Sequence, residues 1–225
     1  MLPALILGLV AQLIVKSRYK KYSAIPNKSR LTGAAAVNLV LSSNGVRIAG
    51  IGHVQGEMTD YYDPKNNIIC LSDGVYGEPT IAPVGIAAHE AGHALQYAEN
   101  YFPIKLRSAI VPVCNFGSSA GIILIIVGFF LSYIADWLIG LGNLVYLIGV
   151  VLFSAVALFR LVTLPVELNA SRRAINALRA SNALESDELK GAEKVLKAAA
   201  LTYVAALLTA VLQVFYYASR FKPRK

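Results

Sequence analysis

Two apolar runs, about Val111 to Ile134 and about Trp137 to Leu161, are separated by little more than Ala135-Asp136. Each is long enough to cross the hydrocarbon core of a bilayer, which takes about 20 helical residues. Lipid offers the backbone no hydrogen-bond partners, so runs like these span it as helices. So short a link makes them an antiparallel hairpin. The chain before Val111 and the chain after Leu161 then lie on one side of the membrane, and a site drawing on both is geometrically open.

Composition agrees. The chain is 56% hydrophobic and 15% charged, whereas soluble domains carry about 25% charged residues. Two more apolar runs flank the hairpin. The first, about Leu2 to Val15, is short for a span and has neither a basic leading region nor a small-residue cleavage site, so a cleaved signal peptide is not expected. It reads as an anchor helix extending through Tyr19, its basic end snorkelling. The last, about Val195 to Ala218, begins as an amphipathic approach. The net charge of +8 sits beside these runs, in Lys16, Arg18, Lys20 and Lys21 and in Arg220, Lys222, Arg224 and Lys225. That placement suits lipid headgroups, and no aromatic-plus-basic pattern points to nucleic acid. Cys70 and Cys114 show no metal-ligand spacing and read as buried free thiols.

Five segments follow: a membrane anchor, 1–21; a more polar region, 22–110; the hairpin, 111–161; a helical segment, 162–194; and a C-terminal membrane helix with a basic tail, 195–225. In the polar region, Asn38 to Asn44 reads as a helix end with a turn at Asn44-Gly45. Gly50 to Asp63 reads as loop with short strands, and Asp63-Pro64-Lys65-Asn66-Asn67 as a turn. Ile68 to Ser72 reads as a strand, expected at a sheet edge, followed by a loop from Asp73 to Pro79.

The chain has three histidines, and two fall in His89-Glu90-Ala91-Gly92-His93. The stretch from Pro83 to Gln96 reads as a helix. Positions four apart share a helix face, so both imidazoles can point at one Zn²⁺, with Glu90 beside them as a general base. Gly92 weakens a helix interior by about 1 kcal/mol, which makes sense where another segment approaches closely. A catalytic zinc takes three protein ligands and keeps an open position. His53 lies upstream and is a poor third ligand. Glu167, just past an apolar run and preceded by Pro165 at a helix start or kink, is the better one, because an acid there is costly unless paired or ligated. The alternative reading of Glu167 is a surface acid stabilising a helix N-terminus.

Four pieces occur in order: Thr59-Asp60-Tyr61-Tyr62-Asp63-Pro64, Leu71-Ser72, Ala88 through Gln96, and Pro165 through Ala174. Together they resemble the YugP-like family of neutral zinc metallopeptidases of bacterial membranes, and more distantly the HtpX-like and CAAX-prenyl membrane proteases. The resemblance implies a mainly α membrane protein of about four apolar helices around a zincin-like core with a short edge strand or small sheet. It implies a zinc endopeptidase of the gluzincin type, with His89, His93 and Glu167 as metal ligands and Glu90 as the base. Ser171 stands where the HtpX-like proteases carry an Asp, and is the candidate to bond a ligand histidine. Asn169 and Tyr61 depart from the family pattern of an acid and a His, so the resemblance gives them no role.

Zinc would activate water, and the substrate would be a peptide or a membrane protein. Tyr61, Tyr62, His53, Arg172 and Arg173 are candidates to assist the oxyanion, none of them preferred. Basic residues gather on the side of the polar region and none lies in the hairpin link, which places the catalytic face in the cytoplasm of a multi-pass protein of a bacterial inner membrane. The basic tail would then lie outside if the last run spans. Two other readings stay open: a zinc hydrolase of a lipid or small amide, and a non-catalytic membrane scaffold. Oligomeric state is not legible.

Overall fold

In the computed structural model, residues 2–221 are described; Lys222, Arg224 and Lys225 of the basic tail lie outside them. The chain is a mainly α membrane protein with one small sheet. The order is α1 (Leu2–Ser23), α2 (Gly33–Ser43), β1 (Gly50–Val54), β2 (Tyr61–Asp63), β3 (Ile68–Ser72), α3 (Asp73–Tyr76), α4 (Ile81–Ala98), α5 (Phe102–Ile134), a 3₁₀ turn (Asp136–Leu138), α6 (Ile139–Ala180) and α7 (Ser186–Arg220). Three described helices are long and apolar enough to cross a membrane: α5, α6 with its leading 3₁₀ turn, and α7. The expected figure was about four, and α1 is not among the three.

The chain divides into two compact units. One holds Leu106–Leu164 with the outer ends of α1 and α7. The other holds Val10–Lys105 and Pro165–Thr202.

In the second unit, local signals behave as physics asks. Thr32 caps α2, its hydroxyl accepting from the Ala35 N–H at 3.2 Å. Asn44 closes α2, and Gly45 follows at φ +66°, a left-handed turn glycine takes without strain. Asp63 Oδ1 accepts from the Lys65 N–H at 2.8 Å and turns the chain from β2 into β3.

The sheet corrects one expectation. Its strand order is β1-β3-β2, with β3 parallel to β1 and antiparallel to β2, so Ile68–Ser72 is the central strand and not an edge. The short strands read from the Gly-rich stretch cover it on both sides. Ile69 and Leu71 are fully buried, as a central strand's inward residues should be. The loop expected from Asp73 contains the single-turn α3. Cys70 is half-buried and Cys114 buried, and both are free.

The core of this unit gathers Val37 and Val40 of α2, Ile69 and Leu71 of β3, Val84, Ala87, Ala88 and Leu95 of α4, Ala174 and Leu178 of α6, and Val195 of α7. Each large aliphatic buried here contributes about 1.5–3 kcal/mol. α4 is the central helix of this core. Its alanines bring α6 near, and at Gly92 an added Cβ would lie 2.5 Å from the Ala170 carbonyl oxygen. That is the close approach a glycine inside a helix implied.

Of the two readings of Pro165, a helix start is excluded: it lies inside one unbroken helix from Ile139 to Ala180. Membrane helices tolerate proline because neighbouring groups take up the freed backbone positions. Glu167 is therefore mid-helix and 3% exposed, which removes the reading of a surface acid at a helix N-terminus.

Candidate metal centre

α4 buries nearly all of its faces, so its polar residues need internal partners. His89 and His93, one turn apart, bring their rings to a centroid distance of 4.7 Å, edge to face. From α6, Glu167 meets both. Its Oε2 lies 3.3 Å from His89 Nε2 and 3.6 Å from His93 Nε2. One ligand atom from each of these three residues lies within 4.8 Å of the others. Glu90 follows His89 on the same helix and is buried, and its charge acts on His93.

Both imidazoles are oriented from behind. His93 Nδ1 is 3.0 Å from Gln96 Oε1, and His89 Nδ1 is 3.0 Å from Ser171 Oγ. With Nδ1 occupied, each ring turns Nε2 toward the Glu167 carboxylate. Two imidazole nitrogens and one carboxylate oxygen are the donor set of a catalytic zinc with an open position, and the residues fit such an ion. Zinc bound there would lower the pKa of a water toward 7 and polarise a carbonyl.

Electrostatics points the same way. Burial alone would push the His93 imidazole below its ordinary range. The hydrogen bond the ring donates to Glu167 and the charges of Glu90 and Glu167 outweigh it and hold the ring above that range. A metal held by the two imidazoles needs their ligating nitrogens unprotonated, so its binding would weaken as pH falls.

The other sequence candidates are elsewhere or engaged. His53, in β1, pairs with Asp73 at 2.8 Å and is half-exposed. The Tyr62 hydroxyl donates to Asn67 Oδ1 at 2.8 Å. Tyr61 is exposed on the short edge strand β2. Arg173 is bound to Asn169 and Glu99. Arg172 lines, with Ser171, a cavity of about 340 Å³ formed by α6 and α7.

Sequence reasoning missed Gln96 and undervalued Asn169. Gln96 is fully buried and donates to the Val166 carbonyl at 2.8 Å and to Asn169 Oδ1 at 2.9 Å. The signal available was spacing, since Gln96 is three residues after His93 on one helix face.

The family described as "Putative neutral zinc metallopeptidase" matches residues 1–222. "Putative membrane protease YugP" of Bacillus subtilis (strain 168) is 40% identical over 214 residues, covering 95% of this chain and 91% of that protein. No solved structure matches. A match along almost the whole chain, with two histidines and a buried glutamate converging on one point, carries the conclusion that the chain belongs to this family of neutral zinc metallopeptidases.

Proposed function

We propose that the chain is a membrane-embedded zinc endopeptidase of the gluzincin type, with His89, His93 and Glu167 holding the ion and Glu90 acting as general base. The observation that carries this reading is the convergence of three ligand atoms within 4.8 Å, drawn from helices far apart in sequence. Glu90 takes a proton from the attacking water and passes it to the leaving nitrogen. The bonds of Gln96 and Ser171 keep the two imidazoles aimed. Segments 22–110 and 162–194 make up the catalytic region, 111–161 is the hairpin, and 1–21 and 195–225 anchor the chain.

The catalytic face is cytoplasmic in this reading. Lys16, Arg18, Lys20, Lys21, Lys105, Arg107, Arg160, Arg172 and Arg173 belong to it, whereas no basic residue occurs between Ser108 and Phe159. Substrates are then peptides or cytoplasmic segments of membrane proteins. Impermeant labelling of single cysteines at Asn66 and Asp136, in a chain lacking Cys70 and Cys114, tests the orientation: label entering from outside should reach Asp136 only.

Glu90→Gln tests the chemistry. Gln keeps the size and loses the base. Zinc content should be unchanged and peptide hydrolysis should fall at least about 10²-fold. Wild-type turnover by Glu90→Gln would end the assignment.

A further inference from the structure

Behind the metal site runs a chain of hydrogen bonds, buried at His93 and Gln96 and exposed at Glu99, whose polarity is set from its outer end. Arg173 Nη1 donates to Glu99 Oε1 at 2.6 Å, and its Nε donates to Asn169 Oδ1 at 2.7 Å. Guanidinium has donors only, so the Asn169 oxygen must face it. The same oxygen lies 2.9 Å from Gln96 Nε2, which also reaches the Val166 carbonyl at 2.8 Å. Both of those partners are acceptors, so the nitrogen of the Gln96 amide must face them. Its oxygen is then forced toward His93 Nδ1, 3.0 Å away. That oxygen only accepts, so Nδ1 must carry a hydrogen, which leaves Nε2, on the Glu167 side, as the ring atom available to a metal. Carboxamide orientations and histidine tautomers are usually inferred from their networks, and here every link but the first acceptor is forced.

The same links join the two metal-bearing helices. Gln96 is in α4, three residues from His93. Val166 and Asn169 flank Glu167 in α6. One fully buried carboxamide therefore sets the tautomer of one ligand and holds the helix that carries another.

We propose that Gln96 and Arg173 are positioning residues for the metal centre. Arg173 sets the polarity of the Asn169 and Gln96 carboxamides, and Gln96 passes it to His93 while fixing α6 against α4. The proposal rests on the zinc reading above. It requires of position 169 only an acceptor, so Asn169→Asp should preserve the relay.

The test is zinc affinity by chelator competition on detergent-solubilised full chain, with the visible spectrum of the Co²⁺-loaded protein as a report on ligand geometry. Thermal melts of the metal-free protein serve as the folding control. Gln96→Ala should weaken zinc binding about 10–100-fold and alter the Co²⁺ spectrum. Arg173→Met should do the same to a smaller degree, although its side chain bonds to no metal ligand. Asn169→Asp should keep the wild-type spectrum. If Gln96→Ala does not fold, Arg173→Met carries the test. Melts that fall while zinc affinity and the Co²⁺ spectrum stay at wild type in both variants would overturn the relay. A wild-type chain that takes up no zinc overturns the metal centre itself, and the relay with it.

Discussion

Around Leu106–Leu164 the large apolar side chains face outward: Phe116 is 70% exposed, and Phe129, Phe130, Ile134 and Trp137 are exposed with it. The buried cluster there is Ile125, Tyr146 and Val150. Glycines make the helix contacts, Gly121 and Gly149 sitting so close to the opposite backbone that a Cβ would overlap it. In Val10–Lys105 with Pro165–Thr202 the sorting is reversed. Large aliphatics fill a continuous core, and buried polar groups are bonded to one another around the metal site. The two regions have solved the same packing problem for different solvents. Lipid gives no hydrophobic reason for helices to associate, so small residues and close contact hold them. Water drives the second region together, and its burial makes a carboxylate, two imidazoles and an amide interact strongly.

A lysine in an apolar surface position should break the comparison most sharply. Ile123 and Met58 are similarly exposed, at 58% and 48%. Ile123→Lys should cost about 3–4 kcal/mol of membrane insertion, read as the inserted fraction in a membrane-integration assay. Met58→Lys, on the polar region, should change stability by no more than about 0.5 kcal/mol. Equal penalties at both positions would mean that the exposed apolar surface around Ile123 does not face lipid.

Gly92→Ala has an intermediate effect. The new methyl meets the Ala170 backbone, three residues from Glu167, so stability should fall by about 1–3 kcal/mol and zinc affinity should fall with it. Gly140 has open space around its Cβ direction. Gly140→Ala should be neutral or stabilise by up to about 1 kcal/mol, the helix-propensity gain. Thermal melts of both variants decide it.

Much of this was legible from local pattern. The motif helix was read as Pro83 to Gln96 and is Ile81–Ala98; the strand Ile68–Ser72 has the expected bounds. Gly92 announced a close neighbour without naming it. What was not legible is non-local. β3 turned out central because β1 pairs with it across a long sequence gap, in a Gly-rich stretch with little strand propensity. Gln96 looked like an ordinary helix residue until α6 supplied two acceptors. Asn169, set aside as a departure from the family pattern, accepts from both Gln96 and Arg173 because an amide oxygen serves there as a carboxylate would. Pro165 was read as a helix start or a kink, and α6 runs through it with no start there.

The central claim is that one metal ion is held jointly by α4 and α6. Zinc content of purified Glu167→Ala, beside wild type at equal protein and zinc concentration, tests it most directly. The account predicts one zinc per wild-type chain and its loss from Glu167→Ala, with α4 and both histidines intact. Full zinc occupancy in Glu167→Ala would contradict it.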